Sequence, residues 1–98
     1  MFWLGDQADD FAVLHYHGEC RSSDKNLGNK NSVAECASAC KNENGCKYFV
    51  YGTGVKDGKC YWEKTTSADC SEGWKTNDYD FYSVISKYHY IDLWMSLL

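Results

Sequence analysis

Short apolar blocks separated by polar, glycine-bearing stretches set the pattern of this chain. Residues 11–17 (FAVLHYH) carry β-branched and aromatic side chains and stop at Gly18, which predicts a strand. Residues 19–31 turn polar, with Asn26, Gly28, Asn29 and Asn31, and predict a loop. Ser32-Val-Ala-Glu35 then has the spacing of a capping box. The Ser hydroxyl accepts from the backbone N–H of Glu35, and the Glu carboxylate reaches back to the Ser N–H. The helix so opened runs through Ala34, Cys36, Ala37, Ala39 and Cys40 and closes near Asn44-Gly45, where glycine suits a left-handed residue. Cys36 and Cys40 are four apart, so both sulfurs leave one helix face toward one partner surface.

Residues 46–51 (CKYFVY) alternate as a strand, with Tyr48 and Val50 on one face and Phe49 and Tyr51 on the other. A turn-rich connector at 52–58 leads to residues 59–63 (KCYWE), the second arm of a β-hairpin with a long tip. Residues 65–77 read as another polar loop, holding Cys70 and Trp74, and residues 79–85 (YDFYSVI) as a last strand. Phe49, Tyr51, Trp62 and Phe81 are the expected core aromatics. Past residue 86, Tyr88, Ile91, Trp94, Met95 and Leu98 recur at helical spacing, and Leu93 and Leu97 widen the stripe. A helix this short is marginal in water. It needs its own domain, a partner or a bilayer surface to lie against.

Length and composition narrow the class. A 98-residue chain is one domain with a marginal core. Aromatic residues make up 16%, enough to fill that core, while 24% charged and 44% hydrophobic residues exclude a disordered chain and a multi-span membrane protein. The net charge of −4 is uneven: residues 1–20 carry four acids and no Lys or Arg, and residues 21–60 carry seven bases against four acids. Those bases are scattered among Asn, Gly and acids, without the clustered footprint that nucleic-acid binding needs.

Six cysteines, at 20, 36, 40, 46, 60 and 70, decide the compartment. They make no Cys-x2-Cys knuckles, and His15, His17 and His89 fit no zinc finger, so three disulfides are expected in place of a metal. Disulfides require an oxidising compartment. Met1-Phe-Trp-Leu-Gly-Asp has neither a basic opening nor a sustained apolar run, so it does not read as a signal peptide. The chain is expected to be a processed piece or a module of something longer. No stretch reaches the ~20 apolar residues of a membrane span.

Catalytic patterns are weak throughout. With all cysteines in bridges and no Gly-x-Ser-x-Gly elbow, nucleophilic catalysis lacks its parts. His15-x-His17 would set two imidazoles on one strand face, half a metal site with no third ligand at a recognisable spacing. Asp78-x-Asp80 and Asp69-x-x-Glu72 lack the ordered spacing of a calcium loop, and Gly52-x-Gly54 is half a phosphate-loop pattern. No enzyme and no cofactor are expected.

The helix with Cys36-x3-Cys40, then Gly45-Cys46-Lys-Tyr-Phe49-Val-Tyr51, then Gly58-Lys-Cys60-Tyr-Trp62, resembles the PAN/apple module across roughly residues 13–85. The resemblance implies an α+β class: a small disulfide-rich module in which a five-stranded antiparallel β-sheet cradles one α-helix. It further implies the bridges Cys36–Cys60 and Cys40–Cys46, pinning the helix to the central strands. Apple-type members add a bridge tying the module's ends, which implies Cys20–Cys70, although Cys70 here precedes the final strand. Three regions result: an apolar and acidic extension at 1–10, the PAN/apple-like domain at 11–85, and an extra C-terminal apolar helical segment for docking at 86–98.

The function implied is non-catalytic binding of protein or carbohydrate, with Tyr61, Trp62 and Trp74 as candidate ligand-stacking residues. Phe2, Trp3 and Leu4, with Ile91, Trp94, Met95, Leu97 and Leu98, are candidate partner-binding residues, since apolar chain ends call for burial. The alternative is a small accessory subunit of a large membrane protein complex, clamped by its apolar ends. Peripheral membrane contact fits, a transmembrane span does not. The setting is extracellular, at the cell surface, or an organelle lumen such as the thylakoid lumen.

Overall fold

The structure is a computed structural model that describes residues 11–85. Among these residues the order is β1 (Phe11–His15), β2 (Gly18–Cys20), β3 (Asp24–Asn29), α1 (Val33–Lys41), β4 (Tyr48–Gly52), β5 (Lys59–Glu63), β6 (Trp74–Thr76) and β7 (Tyr79–Val84). A 3-10 turn at Gly54–Lys56 shapes the β4–β5 connection. Five strands form one antiparallel sheet in the order β1-β7-β4-β5-β3. Strands β2 and β6 form a separate two-stranded ribbon. The molecule is therefore an α+β, disulfide-rich module.

The helix starts where the capping box puts it. Ser32 is the N-cap and its Oγ accepts from the Glu35 N–H at 3.1 Å. The Glu35 carboxylate, however, accepts from the N–H of Asn31 at 3.0 Å, one residue earlier than the reciprocal bond expected. The helix ends at Lys41, and Gly45 takes the left-handed conformation (φ 92°) in the turn beyond it.

Two stretches expected as loops contain strands. Residues 19–31 hold β2's end and all of β3, and residues 65–77 hold β6. Strand β3 (DKNLGN) is an edge strand exposed along nearly its whole length, with a register shift between Asn26 and Gly28. Its residues have no strand propensity; pairing with β5 imposes the conformation. Strand β1 stops at His15, and His17 adopts a positive φ of 58°. His15 and His17 therefore do not share a strand face, which removes the half metal site.

Packing is two-sided. On one face α1 covers Phe49, Tyr51 and Cys60, joined by Cys36, Ala37 and Cys40. On the other face Val50, Tyr79 and Phe81 pack with Cys20 and Cys70 beneath the β2–β6 ribbon. Strand β4 feeds both faces, so its alternation is between two cores and not between core and water. Phe49 and Phe81 are fully buried, each contributing about 2–3 kcal/mol of apolar transfer free energy. Trp62, expected with them, is only half-buried. Its indole lies at the sheet's margin, with the Lys64 ammonium 4.7 Å from the ring centroid.

The three bridges join Cys20 to Cys70, Cys36 to Cys60 and Cys40 to Cys46. The second ties α1 to β5, and the third closes the turn after the helix. The first anchors the ribbon side of the molecule. No described cysteine is free.

Candidate functional site

The three candidate stacking residues do not make one platform. Tyr61 and Trp62 are neighbours on β5 and point to opposite faces of the sheet. Tyr61 packs on the ribbon side, edge-on to Tyr79 with centroids 6.0 Å apart. Trp74, on β6, also packs there. One of its faces stacks on the His15 ring, at 3.9 Å between centroids and 4° between planes, and it meets Phe81 edge-on at 4.9 Å. Internal contacts thus occupy much of Trp74. Trp62 lies on the helix side, opposite Lys25 of β3, whose ammonium pairs with Glu43 at 2.8 Å.

Phe2, Trp3, Leu4, Ile91, Trp94, Met95, Leu97 and Leu98 lie outside the described residues. The points from which their segments depart are described. Phe11 stands directly opposite Val84 in the β1–β7 pairing, so segments 1–10 and 86–98 leave one corner of one sheet edge. Ile85, at that corner, is 46% exposed.

A group that sequence reasoning did not single out is Glu63, fully buried at the end of β5. Its Oε1 accepts from the Ser22 hydroxyl at 2.9 Å, and its Oε2 has no hydrogen-bond partner. Burial pushes its carboxyl up to about 8, and Asp24, Glu19 and Glu72 add to the rise while the Ser22 bond opposes it. Asp24 is raised as well, by burial and by Glu19. Period two puts Glu63 on the face of Tyr61, but the expected burial of Trp62 set the opposite phase and hid it. The other acids have ordinary work. Asp80 accepts from the His17 N–H at 2.9 Å, and Glu72 accepts from the Thr65 hydroxyl at 2.7 Å.

No helix among the described residues is long and apolar enough to cross a membrane. The arrangement offers a rigid, cross-linked surface, which suits recognition. In comparisons with known proteins, the family model of the PAN domain matches residues 12–86. No curated protein and no solved structure shows a significant match. A match spanning all but the first described residue, on a helix pinned to a five-stranded sheet by disulfides, shows that this chain belongs to the PAN domain family, a protein- or carbohydrate-binding type of module.

Proposed function

We propose that the chain is a non-catalytic module that holds a protein partner in an oxidising compartment, with segments 1–10 and 86–98 making the decisive contacts. PAN domains are generally interaction modules without catalysis, and three disulfides suit an extracellular or lumenal setting. One observation carries the finer reading. Because Phe11 pairs with Val84, the two apolar extensions are tethered at a single corner. Phe2, Trp3 and Leu4 belong to one of these extensions, and Ile91, Trp94, Met95, Leu97 and Leu98 to the other. Two weak anchors on neighbouring tethers reinforce each other, since engagement of one raises the effective concentration of the other. The three regions of the chain then have distinct roles: a cross-linked body at 11–85 and two docking ends.

The same corner favours a second reading, a small accessory subunit clamped onto a large membrane assembly and facing an oxidising lumen such as the thylakoid's. A protein partner is favoured over a glycan, because Tyr61 and Trp74 serve one face of the sheet and Trp62 the other.

The test compares the tagged full chain with versions lacking 1–10 or 87–98, each co-fractionated from native membranes and from medium. Either deletion should lower recovery of one defined partner by about tenfold or more, the size of effect expected when one of two linked anchors is lost. The melting temperature of the cross-linked body should stay within a degree or two. Undiminished partner recovery by both deletions would overturn the reading, as would retained binding to an oligosaccharide array.

A further inference from the structure

The ribbon side of the molecule brings three carboxylates together. Glu19 comes from β2, Asp24 from the start of β3 and Glu63 from the end of β5, and one carboxylate oxygen of each lies within 4.8 Å of the other two. Asp24 and Glu63 are direct partners across the β3–β5 ladder. Like charges in that relation destabilise a sheet. Residues 21–23 bind the cluster together: the Ser22 hydroxyl donates to Glu63 Oε1, and the Lys64 N–H donates to the Ser23 carbonyl at 2.9 Å. Glu19 Oε2 is held by the Asn77 side-chain amide.

The neighbouring lysines do not pair with these acids. Lys25, next to Asp24 on β3, pairs with Glu43 beyond α1. Lys64, next to Glu63 in sequence, reaches over Trp62 on the opposite face. Lys75 stands opposite Glu19 in the β2–β6 pairing but makes no ion pair with it. Glu63 itself is 0% exposed, and its Oε2 lacks any donor. A buried carboxylate oxygen without a partner is costly, so its presence calls for a cause.

We propose that Glu19, Asp24 and Glu63 form a binding site for a divalent hard cation, with calcium as the occupant. Oxygen-only donors select hard cations over zinc or copper. With the three oxygens all within 4.8 Å of one another, small side-chain shifts bring them to the roughly 2.3–2.6 Å that calcium takes in its flexible shell. Magnesium demands about 2.1 Å in strict octahedral geometry and sheds water reluctantly, so it fits less well. The orphan Oε2 gains a ligand bond, the Asp24–Glu63 repulsion becomes a bridge, and water completes the shell from the Asp24 side, which is exposed. Three carboxylates on an open margin place the affinity at about 10⁻⁴–10⁻³ M, the range of extracellular calcium modules.

The experiment uses the full, oxidised chain stripped of metal and titrated with calcium chloride by calorimetry and thermal unfolding. Calcium at ~10 mM should bind saturably and raise the melting temperature by several degrees, magnesium far less, because a ligand selective for the folded state stabilises it. Asp24→Asn, at an exposed position, should keep the fold and weaken calcium binding at least ~10-fold, and Glu63→Gln should abolish the shift. Asp57→Asn, outside the cluster, should leave it intact. Absence of saturable binding, an equal response to magnesium, or a wild-type calcium shift in Asp24→Asn would each overturn the site.

Discussion

At the scale of single residues, Glu63 sets the pH behaviour of the metal-free chain. Its folded carboxyl is pushed up to about 8 by burial, against an ordinary value of 4.5. Between those values the folded protein retains a proton that the unfolded chain has released, so stability declines as pH rises through that window. In EDTA the melting temperature should fall between pH 5 and pH 9 by on the order of 5 °C or more. Glu63→Gln replaces the titrating group with a neutral one of the same shape and should flatten most of that slope. Equal slopes in the two proteins would show that Glu63 does not carry the effect. The expected burial of Trp62 turns Glu63 outward by period two, whereas the structure buries Glu63 beside neighbours from β2 and β3. Both lie in a stretch whose composition reads as loop. The acidic cluster was therefore illegible for the same reason as β3: it exists only through pairing.

At the scale of elements, what could be read followed from local physics. The helix start is written in Ser32 and Glu35, and β4, β5 and β7 in runs of aromatic and β-branched residues. What could not be read depends on tertiary pairing: β2 and β6 are three residues each, too short for any period, and β3 has Leu27 as its one apolar side chain. The half-buried state of Trp62 had the same origin, since only the sheet order shows that β5 lies next to the edge. The hairpin tip illustrates a further kind of information. Gly52 ends β4 where the 3-10 turn folds back, and a Cβ there would lie 1.8 Å from the Lys56 carbonyl oxygen. Space, not backbone angle, demands glycine at that position. Gly45 is the converse: its φ is 92°, and a Cβ would meet nothing within 4 Å. Gly45→Ala should therefore cost only the left-handed strain, about 1–2 kcal/mol. Gly52→Ala must displace backbone and should cost about 3 kcal/mol or more, toward the upper end of overpacking penalties. Urea unfolding of both variants checks the order, and a Gly52→Ala protein as stable as Gly45→Ala would contradict the geometry.

For the molecule as a whole, stability rests on how the bridges nest. Cys40–Cys46 lies inside the loop of Cys36–Cys60, which lies inside that of Cys20–Cys70, with sequence separations of 6, 24 and 50. Taken singly, the loop-entropy relation would rank them at about 2, 3.5 and 4 kcal/mol. Nesting changes the ranking. With Cys36–Cys60 closed, 24 of the 50 residues are already cross-linked, and the outer bridge constrains only about 26 more. Likewise the middle bridge constrains about 18 once Cys40–Cys46 is closed. The outer and middle bridges should then be nearly equal, at about 3–3.5 kcal/mol each, with the innermost about 1 kcal/mol weaker. Burial adds to the same order, because Cys36 and Cys60 are fully enclosed between α1 and β5 while Cys46 is only half-buried. Paired Cys→Ala variants, unfolded thermally under oxidising conditions, test this. Removing Cys40–Cys46 should leave a folded domain with the smallest loss of melting temperature, and removing Cys36–Cys60 should cost at least as much as removing Cys20–Cys70. Should the outer pair prove much the most costly, the bridges act independently and the nested account fails. Should the innermost pair prove the most costly, the turn after α1 is a folding nucleus in its own right, and the chain-entropy argument does not describe this domain.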